Sequence, residues 1–191
     1  EAMLFRDTDL IKVITGVRRC GKSSLLDLIR MTIESEGVAG RGFVSVNLES
    51  KGTGIKTEGQ LYDHVRGCLS DKGRTYVFID EPQRIDGWQD AVNAMRVDFD
   101  CDIYLTGSNA YLLSSEMATY LSGRYVEVKM LPLSFSEFAD FCGIEFVSGR
   151  SVALTPEGNP VLFDDMLTRY LEYGGMPAIA SLSTTQAQHS A

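Results

Sequence analysis

The chain has 191 residues, which is enough for one domain with a small appended subdomain. Hydrophobic residues make up 44% and charged residues 23%, as in ordinary globular proteins, and no apolar run approaches the ~20 residues that span a bilayer. A net charge of −8 argues against a nucleic-acid-binding face, because such a face must be positive. Glu1, Arg6 and Asp7 interrupt the N-terminus, which therefore does not resemble a signal peptide, and a cytoplasmic location is expected.

Strand-like and helix-like segments alternate along the first 130 residues. The predicted strands are residues 10–15, 43–48, 75–79, 102–106 and 125–129, and the predicted helices are residues 22–35, 57–69, 88–97 and 110–120. The third strand is a nearly continuous apolar run, as expected for a strand buried on both faces of a parallel sheet. The repeated alternation predicts an α/β fold with helices on both sides of that sheet.

A complete G-x-x-x-x-G-K-[ST] motif lies between the first predicted strand and the first predicted helix. Glycines let the backbone fold around a phosphate, and backbone N–H groups at a helix N-terminus supply a positive cradle. Lys22 is predicted to contact the β- and γ-phosphates, and Ser23 to offer its hydroxyl to Mg²⁺. The predicted nucleotide-binding residues are Gly16, Val17, Arg18, Arg19, Cys20, Gly21, Lys22, Ser23 and Ser24.

Two adjacent carboxylates, Asp80 and Glu81, follow the third predicted strand. They would lie at the carboxyl edge of the sheet, where open α/β sheets bind ligands. We predict that Asp80 holds Mg²⁺ beside Ser23 and that Glu81 orients or deprotonates an attacking water. A bound Mg²⁺ and a lysine would offset the repulsion between the two carboxylates. Alone, the segment could be a polar turn; together with the glycine-rich motif it predicts a site for a nucleotide and Mg²⁺.

Two further segments have weaker signals. The fourth strand ends in small polar residues, which could place hydroxyls near the γ-phosphate, but Ser108 or Asn109 could equally be the N-cap of a helix. Arg124 follows Gly123 directly before the fifth strand, and an exposed arginine on a turn is usually only solvated.

The character of the chain changes after residue 131. Ser134 and Glu137 form a capping-box pattern, Phe135, Phe138 and Phe141 follow at helical spacing, and a second helix is predicted over residues 163–173. We expect an ATPase core over residues 1–131, a helical lid subdomain over 132–180, and a disordered or truncated end over 181–191.

The order of these motifs resembles a group of prokaryotic AAA+-superfamily ATPases over nearly the whole chain, most specifically Asp-Glu-Pro-Gln-Arg-Ile-Asp-Gly-Trp at 80–88 and Leu-Thr-Gly-Ser-Asn at 105–109. Members pair an N-terminal ATPase module with a C-terminal domain of unknown function. The resemblance implies a P-loop NTPase fold: a three-layer αβα sandwich, a parallel five-stranded sheet of order 5-1-4-3-2 and a small C-terminal helical lid. It also implies that an effector domain is missing from this chain.

The resemblance assigns roles to four more residues. Thr106 and Ser108 would form the first γ-phosphate sensor. Arg124 would be an arginine finger that acts on the nucleotide of a neighbouring subunit, so the protein would self-associate. Pro177, in a segment similar to a Gly-x-Pro lid motif, would pack near the nucleotide.

We therefore predict an ATP-binding domain that hydrolyses ATP with Mg²⁺, weakly in isolation, and that binds neither membrane nor nucleic acid. One alternative is a nucleotide-gated switch with negligible turnover. A small-molecule kinase would lack a glutamate beside the metal-binding aspartate and would usually carry an arginine-rich lid, whereas Glu81 is present here. A GTPase is disfavoured because no Asn-Lys-x-Asp motif occurs. Base preference, the effector partner and the biological process cannot be read from these residues.

Overall fold

The computed structural model of the chain describes residues 2–37, 42–108, 121–146, 152–155 and 158–180. The chain divides into two compact units: a larger one of Glu1–Gly16 and Gly21–Met130, and a smaller one of Val17–Cys20 and Leu131–Ala191. The predicted helix over residues 110–120 and the end from residue 181 lie outside the described residues. None of the helices described is long and apolar enough to cross a membrane.

Within the described residues, the larger unit is built on a five-stranded, all-parallel sheet. Its strands are β1 (Ile11–Gly16), β2 (Gly42–Asn47), β3 (Thr75–Asp80), β4 (Cys101–Ser108) and β5 (Tyr125–Met130). Its helices are α1 (Lys22–Ser35), α2 (Glu58–Gly67) and α3 (Trp88–Asp98), with short 3-10 helices at Ala2–Phe5, Lys51–Thr53 and Pro82–Arg84. The strand order β2-β3-β4-β1-β5 confirms the predicted order 5-1-4-3-2, read from the other edge.

Both faces of this sheet are covered, because successive strand residues point to opposite sides. On β3, Val77 and Ile79 belong to the buried cluster that includes α2 and α3. Tyr76 and Phe78 belong to a second buried cluster, which includes Leu26, Ile29 and Ile33 of α1. This alternation explains the apolar run of β3 and confirms the three-layer architecture.

Two segments with the capping-box pattern, at Ser134–Glu137 and Thr57–Gln60, form the box to different extents. The Ser134 side chain accepts a hydrogen bond from the Glu137 N–H, and the Glu137 carboxylate accepts one from the Ser134 N–H, so this box is complete. The Ser134 N–H and the Ser134 hydroxyl both donate to the Glu137 carboxylate, which lowers the pKa of Glu137 below its usual value. The Thr57 side chain likewise accepts from the Gln60 N–H. The Gln60 side chain instead accepts from the Lys56 N–H, so the second box is only half formed.

The smaller unit combines helices with a small antiparallel sheet. Its described elements are α4 (Phe135–Phe141), α5 (Phe163–Tyr173), α6 (Pro177–Ala180) and strands β6 (Glu145–Phe146), β7 (Val152–Leu154) and β8 (Pro160–Leu162). The sequence analysis predicted only helices here, since strands of two or three residues are too short to reveal a period of two.

Gly175 of the smaller unit is required by a close approach of two backbone segments. The Leu133 N–H donates to the Gly175 carbonyl at 2.7 Å, and the Tyr170 hydroxyl donates to the Leu133 carbonyl at 2.9 Å. A Cβ atom at position 175 would overlap with that Leu133 carbonyl oxygen, and a backbone atom cannot give way as a flexible side chain can. The glycine therefore ties the segment after α5 to the segment before α4.

An ion pair is buried at the amino-terminal edge of the larger sheet. Lys12 Nζ contacts Asp102 Oδ1, and both side chains are fully inaccessible to solvent. Asp102 Oδ2 also accepts hydrogen bonds from the Asp7 N–H at 2.8 Å and from the Tyr104 hydroxyl at 3.2 Å. Burial lowers the pKa of Lys12 and raises the pKa of Tyr104. The network links the segment before β1 to the starts of β1 and β4.

Replacing Lys12 with methionine should strongly destabilise the protein. The change keeps much of the side-chain volume but leaves the buried Asp102 carboxylate without its cation, which typically costs about 3–5 kcal/mol. Urea unfolding measures this loss, and Lys129→Met, on the exposed side of β5, is the matched control. Equal losses for the two variants would contradict a structural role for the buried pair.

Candidate functional site

The glycine-rich motif joins the end of β1 to the start of α1. Gly21 precedes α1 with φ 98° and, having no side chain, leaves the first helical turn without a side-chain cap. Lys22, the first residue of α1, is only 6% exposed, and its Nζ donates to the Gly16 carbonyl at 3.2 Å. Ser23 and Ser24 are exposed. The positive end of the α1 dipole and two hydroxyls therefore lie at the residues predicted to bind nucleotide.

The four residues between Gly16 and Gly21 form a turn. The Cys20 N–H donates to the Val17 carbonyl at 3.4 Å, and Arg19 has φ 67°, which is uncommon for a residue other than glycine. Val17, Arg18 and Arg19 are exposed, whereas Cys20 is buried. Two exposed arginines thus add positive charge to this segment.

Asp80 ends β3 with its carboxylate held on both oxygens. Oδ1 accepts a hydrogen bond from the Thr106 hydroxyl, and Oδ2 accepts one from Asn47 Nδ2 at 3.1 Å. The three residues are paired across β2, β3 and β4, and Asp80 itself is 7% exposed. The predicted metal-binding carboxylate is therefore fixed in place. The sequence analysis did not identify Asn47, although a polar residue at the end of the neighbouring strand β2 was a usable signal.

Glu81, the residue after β3, is constrained in both its backbone and its side chain. Its φ of 59° places it in the left-handed region, a strained conformation for glutamate that often marks functional sites. Its N–H donates to the Thr106 carbonyl at 3.3 Å, and its carbonyl accepts from the Arg84 N–H at 3.1 Å. Its Oε2 accepts a hydrogen bond from Gln83 Nε2. Gln83 was also missed, because nothing in its sequence position indicates this contact.

The sheet register brings Gly16, the first residue of the glycine-rich motif, and the carboxylates to one edge. β4 lies between β1 and β3, pairing Ser108 with Gly16 and Thr106 with Asp80. Since neighbouring strands are about 4.8 Å apart, the ends of β1 and β3 are separated by on the order of 10 Å. This is the carboxyl edge, where open α/β sheets bind their ligands.

Three of the sequence assignments remain predictions. The Thr106 hydroxyl is fully buried and orients Asp80, so contact with a γ-phosphate is not evident here. The backbone of Ser108 pairs with β1, but its side chain lies outside what the structure describes. Pro177 is the first residue of α6 in the smaller unit.

Arg124 lies at the opposite, amino-terminal edge of the sheet. Its carbonyl accepts a hydrogen bond from the N–H of Ile11, the first residue of β1. Because β1 has six residues, this position is about 17 Å from its far end. The exposed Arg124 side chain donates through Nη1 to Asn93 Oδ1 of α3 at 3.0 Å. Arg124 is therefore remote from the glycine-rich motif of its own chain.

A parallel sheet of this order, with a glycine-rich turn between β1 and α1 and a carboxylate ending β3, defines a P-loop-type nucleotide-binding fold. The family model described as "AAA domain" matches residues 8–139. The chain belongs to this AAA-domain family and is an AAA+-superfamily ATPase-like domain.

The chain is also similar to two curated proteins and, in its fold, to a solved structure. An uncharacterized protein of Haemophilus influenzae is 42% identical over 181 residues, covering 94% of this chain and 42% of that protein. An uncharacterized protein of Methanocaldococcus jannaschii is 33% identical over 170 residues, covering 88% of this chain and 36% of that protein. The chain thus spans about two fifths of the length of these relatives. The structure of C. elegans PCH-2 is similar in fold, with a TM-score of 0.56, 14% identity and coverage of 98% and 55% of the two chains.

Thr106→Val should destabilise the protein more than Thr15→Val. Both threonines are fully buried, on adjacent strands, and each donates to a carboxylate. Asp80 is buried whereas Glu127, the partner of Thr15, is exposed and can be rehydrated. Loss of a donor to the buried charge should cost about 1.5–3 kcal/mol by urea unfolding. Equal costs would mean that Asp80 does not depend on the Thr106 hydroxyl.

Proposed function

We propose that this domain binds ATP with Mg²⁺ and hydrolyses it, and that turnover is coupled to an effector region outside this chain. The observation that carries the proposal is the shared sheet edge: Gly16 at the end of β1 and Asp80–Glu81 at the end of β3, with β4 between them. The greater length of both relatives supports an effector elsewhere in the polypeptide.

The phosphates would bind at the start of α1. Uncapped N–H groups of the first helical turn are donors for anions, and the helix dipole adds a favourable potential. Lys22 would contribute a point charge to the β- and γ-phosphates, and the exposed Arg18 and Arg19 would add to the positive field. The chemistry of this segment therefore suits a polyphosphate, whereas nothing in it specifies the base.

A magnesium ion fits the chemistry at Asp80. Among the described residues, its hydrogen-bond partners are Thr106 and Asn47, which are both neutral, so these hydrogen bonds orient the mostly buried carboxylate without neutralising it. Carboxylate and hydroxyl oxygens are hard ligands of the kind Mg²⁺ prefers. Asp80 and Ser23 would hold the ion, which would supply Lewis-acid polarisation of phosphoryl oxygens.

Glu81 would be the general base. As the water oxygen forms a bond to the γ-phosphorus, the bond from that phosphorus to the bridging oxygen of ADP breaks, giving ADP and phosphate. Glu81 would accept the proton that the water loses, while Lys22 would stabilise charge on the phosphoryl oxygens. The constrained backbone of Glu81 supports this role, because a pre-positioned base loses little entropy on reaction.

Arg124 would act only in trans. It lies at the far edge of the sheet from its own glycine-rich motif, and its present partner, Asn93, is a neutral amide that can release it. A cation supplied to the transition state can raise phosphoryl-transfer rates by about 10³–10⁵-fold. This separation also favours the alternative of a nucleotide-gated switch, in which the domain alone turns over little ATP.

Replacing Lys22 with alanine should weaken ATP–Mg²⁺ binding without unfolding the domain. Contacts to a charged group contribute about 1.5–3 kcal/mol, so affinity should fall at least ~10-fold in calorimetric titration, and phosphate release should fall with it. Lys56→Ala, at an exposed position in the loop before α2, is the control. Unchanged affinity in Lys22→Ala would exclude the proposed phosphate site.

Mixing two inactive variants should restore hydrolysis if Arg124 acts in trans. Arg124→Ala keeps an intact pocket and Lys22→Ala keeps an intact arginine, so active interfaces can form only between the two proteins. Parent protein should also gain specific activity with concentration, measured as phosphate release per chain. Asn93→Ala removes the described hydrogen-bond partner of Arg124 and should bind ATP like the parent, so it separates loss of this hydrogen bond from loss of the arginine. Activity that is concentration-independent and unaffected by Arg124→Ala would rule the finger out.

A further inference from the structure

Gln83 is the one described side chain that holds the Glu81 carboxylate. Its Nε2 donates to Glu81 Oε2, and no described donor reaches the other carboxylate oxygen, Oε1. The contact therefore fixes one oxygen of Glu81 and leaves the second available for a proton. Because an ionised carboxylate accepts and never donates, the amide must present its nitrogen and not its oxygen to Glu81.

The backbone around Gln83 is rigid enough to position another residue. Gln83 is the middle residue of the Pro82–Arg84 3-10 helix, which the Ile85 N–H closes on the Pro82 carbonyl at 3.0 Å. Pro82 and Ile85 are both buried, so the short helix is anchored at each end. The backbone of Gln83 is therefore held in place two residues from Glu81.

The oxygen of the Gln83 amide is expected to lower the stability of the folded state. Its Oε1 is buried, and no described residue donates a hydrogen bond to it. A buried acceptor without a donor normally disfavours the folded state. The buried oxygen is therefore a cost to folding, whereas the amide nitrogen makes the described contact with Glu81.

We propose that Gln83 is a positioning residue that orients the Glu81 carboxylate for proton abstraction. The inference rests on the proposed ATPase function and adds a residue to it. Gln83 acts through Glu81 and does not itself contact the phosphates. The left-handed backbone of Glu81 determines the direction in which its side chain leaves the main chain. The hydrogen bond from Gln83 determines the position of its carboxylate.

The test compares Gln83→Leu and Gln83→Glu with Gln89→Leu, a control that makes the same chemical change on nearby α3. Gln83→Leu should lower kcat by about 10- to 100-fold while leaving KM and the Kd for ATP within about twofold, since only orientation in the reaction is lost. The kcat of Gln83→Glu should also be lower than that of the parent, because a second carboxylate cannot donate a hydrogen bond to Glu81. In urea, Gln83→Leu should be at least as stable as the parent, whereas loss of a purely structural hydrogen bond would lower its stability.

A double-mutant comparison shows whether Gln83 acts through Glu81. Glu81→Gln and Glu81→Gln/Gln83→Leu should have the same residual rate; a further loss in the double variant would overturn the proposal, as would an unchanged or raised kcat in Gln83→Leu. The side-chain amide resonance of Gln83 supplies a readout without turnover and should shift in Glu81→Ala. No shift would also overturn the proposal. If Glu81→Ala shifts this resonance but the parent protein hydrolyses no ATP, the contact between Gln83 and Glu81 is established and the proposed function is contradicted.

Discussion

The hydrogen-bond register of β4 is the constraint on which the rest of the site depends. β4 pairs with β1 on one side and β3 on the other, and this places Thr106 beside Asp80 and Ser108 beside Gly16. Thr106 then makes two contacts, one from its hydroxyl to Asp80 and one from the Glu81 N–H to its carbonyl. A slip of one residue would exchange the two faces of the strand and would bury the wrong side chains. Core packing therefore fixes the geometry of the site.

The buried carboxylates at the two edges of the sheet have different described partners. At the amino edge, Lys12 and Asp102 neutralise each other within the fold, so that edge has no electrostatic need for a ligand. At the carboxyl edge, the described partners of Asp80 are neutral groups that orient the carboxylate but leave its charge. Loss of Lys12 would leave a buried carboxylate without its cation, whereas Asp80 is the carboxylate that we propose for Mg²⁺.

The sequence predicted those features that local chemistry determines. Strand order followed from the motif resemblance, helix α1 from its apolar period, and the glycine-rich turn from spacing; strand ends differ from prediction by two residues or fewer. Two contacts to the carboxylates were not predicted: Asn47 contacts Asp80 through the sheet register, and Gln83 contacts Glu81 through a 3-10 turn. The strands within residues 145–162 were missed because they are too short for a periodic signal.

The position of Arg124 connects the fold to assembly. A parallel strand has its ends at opposite edges, so a residue preceding β5 and level with the start of β1 cannot lie at the end of β1 where the glycine-rich motif begins. An arginine side chain extends roughly 7 Å, whereas the strand between these positions spans about 17 Å. No rotamer closes that gap within one chain. If Arg124 takes part in hydrolysis, it must therefore act on the nucleotide of a second chain. The hydrogen bond to Asn93 is then the contact that Arg124 makes before the two chains associate.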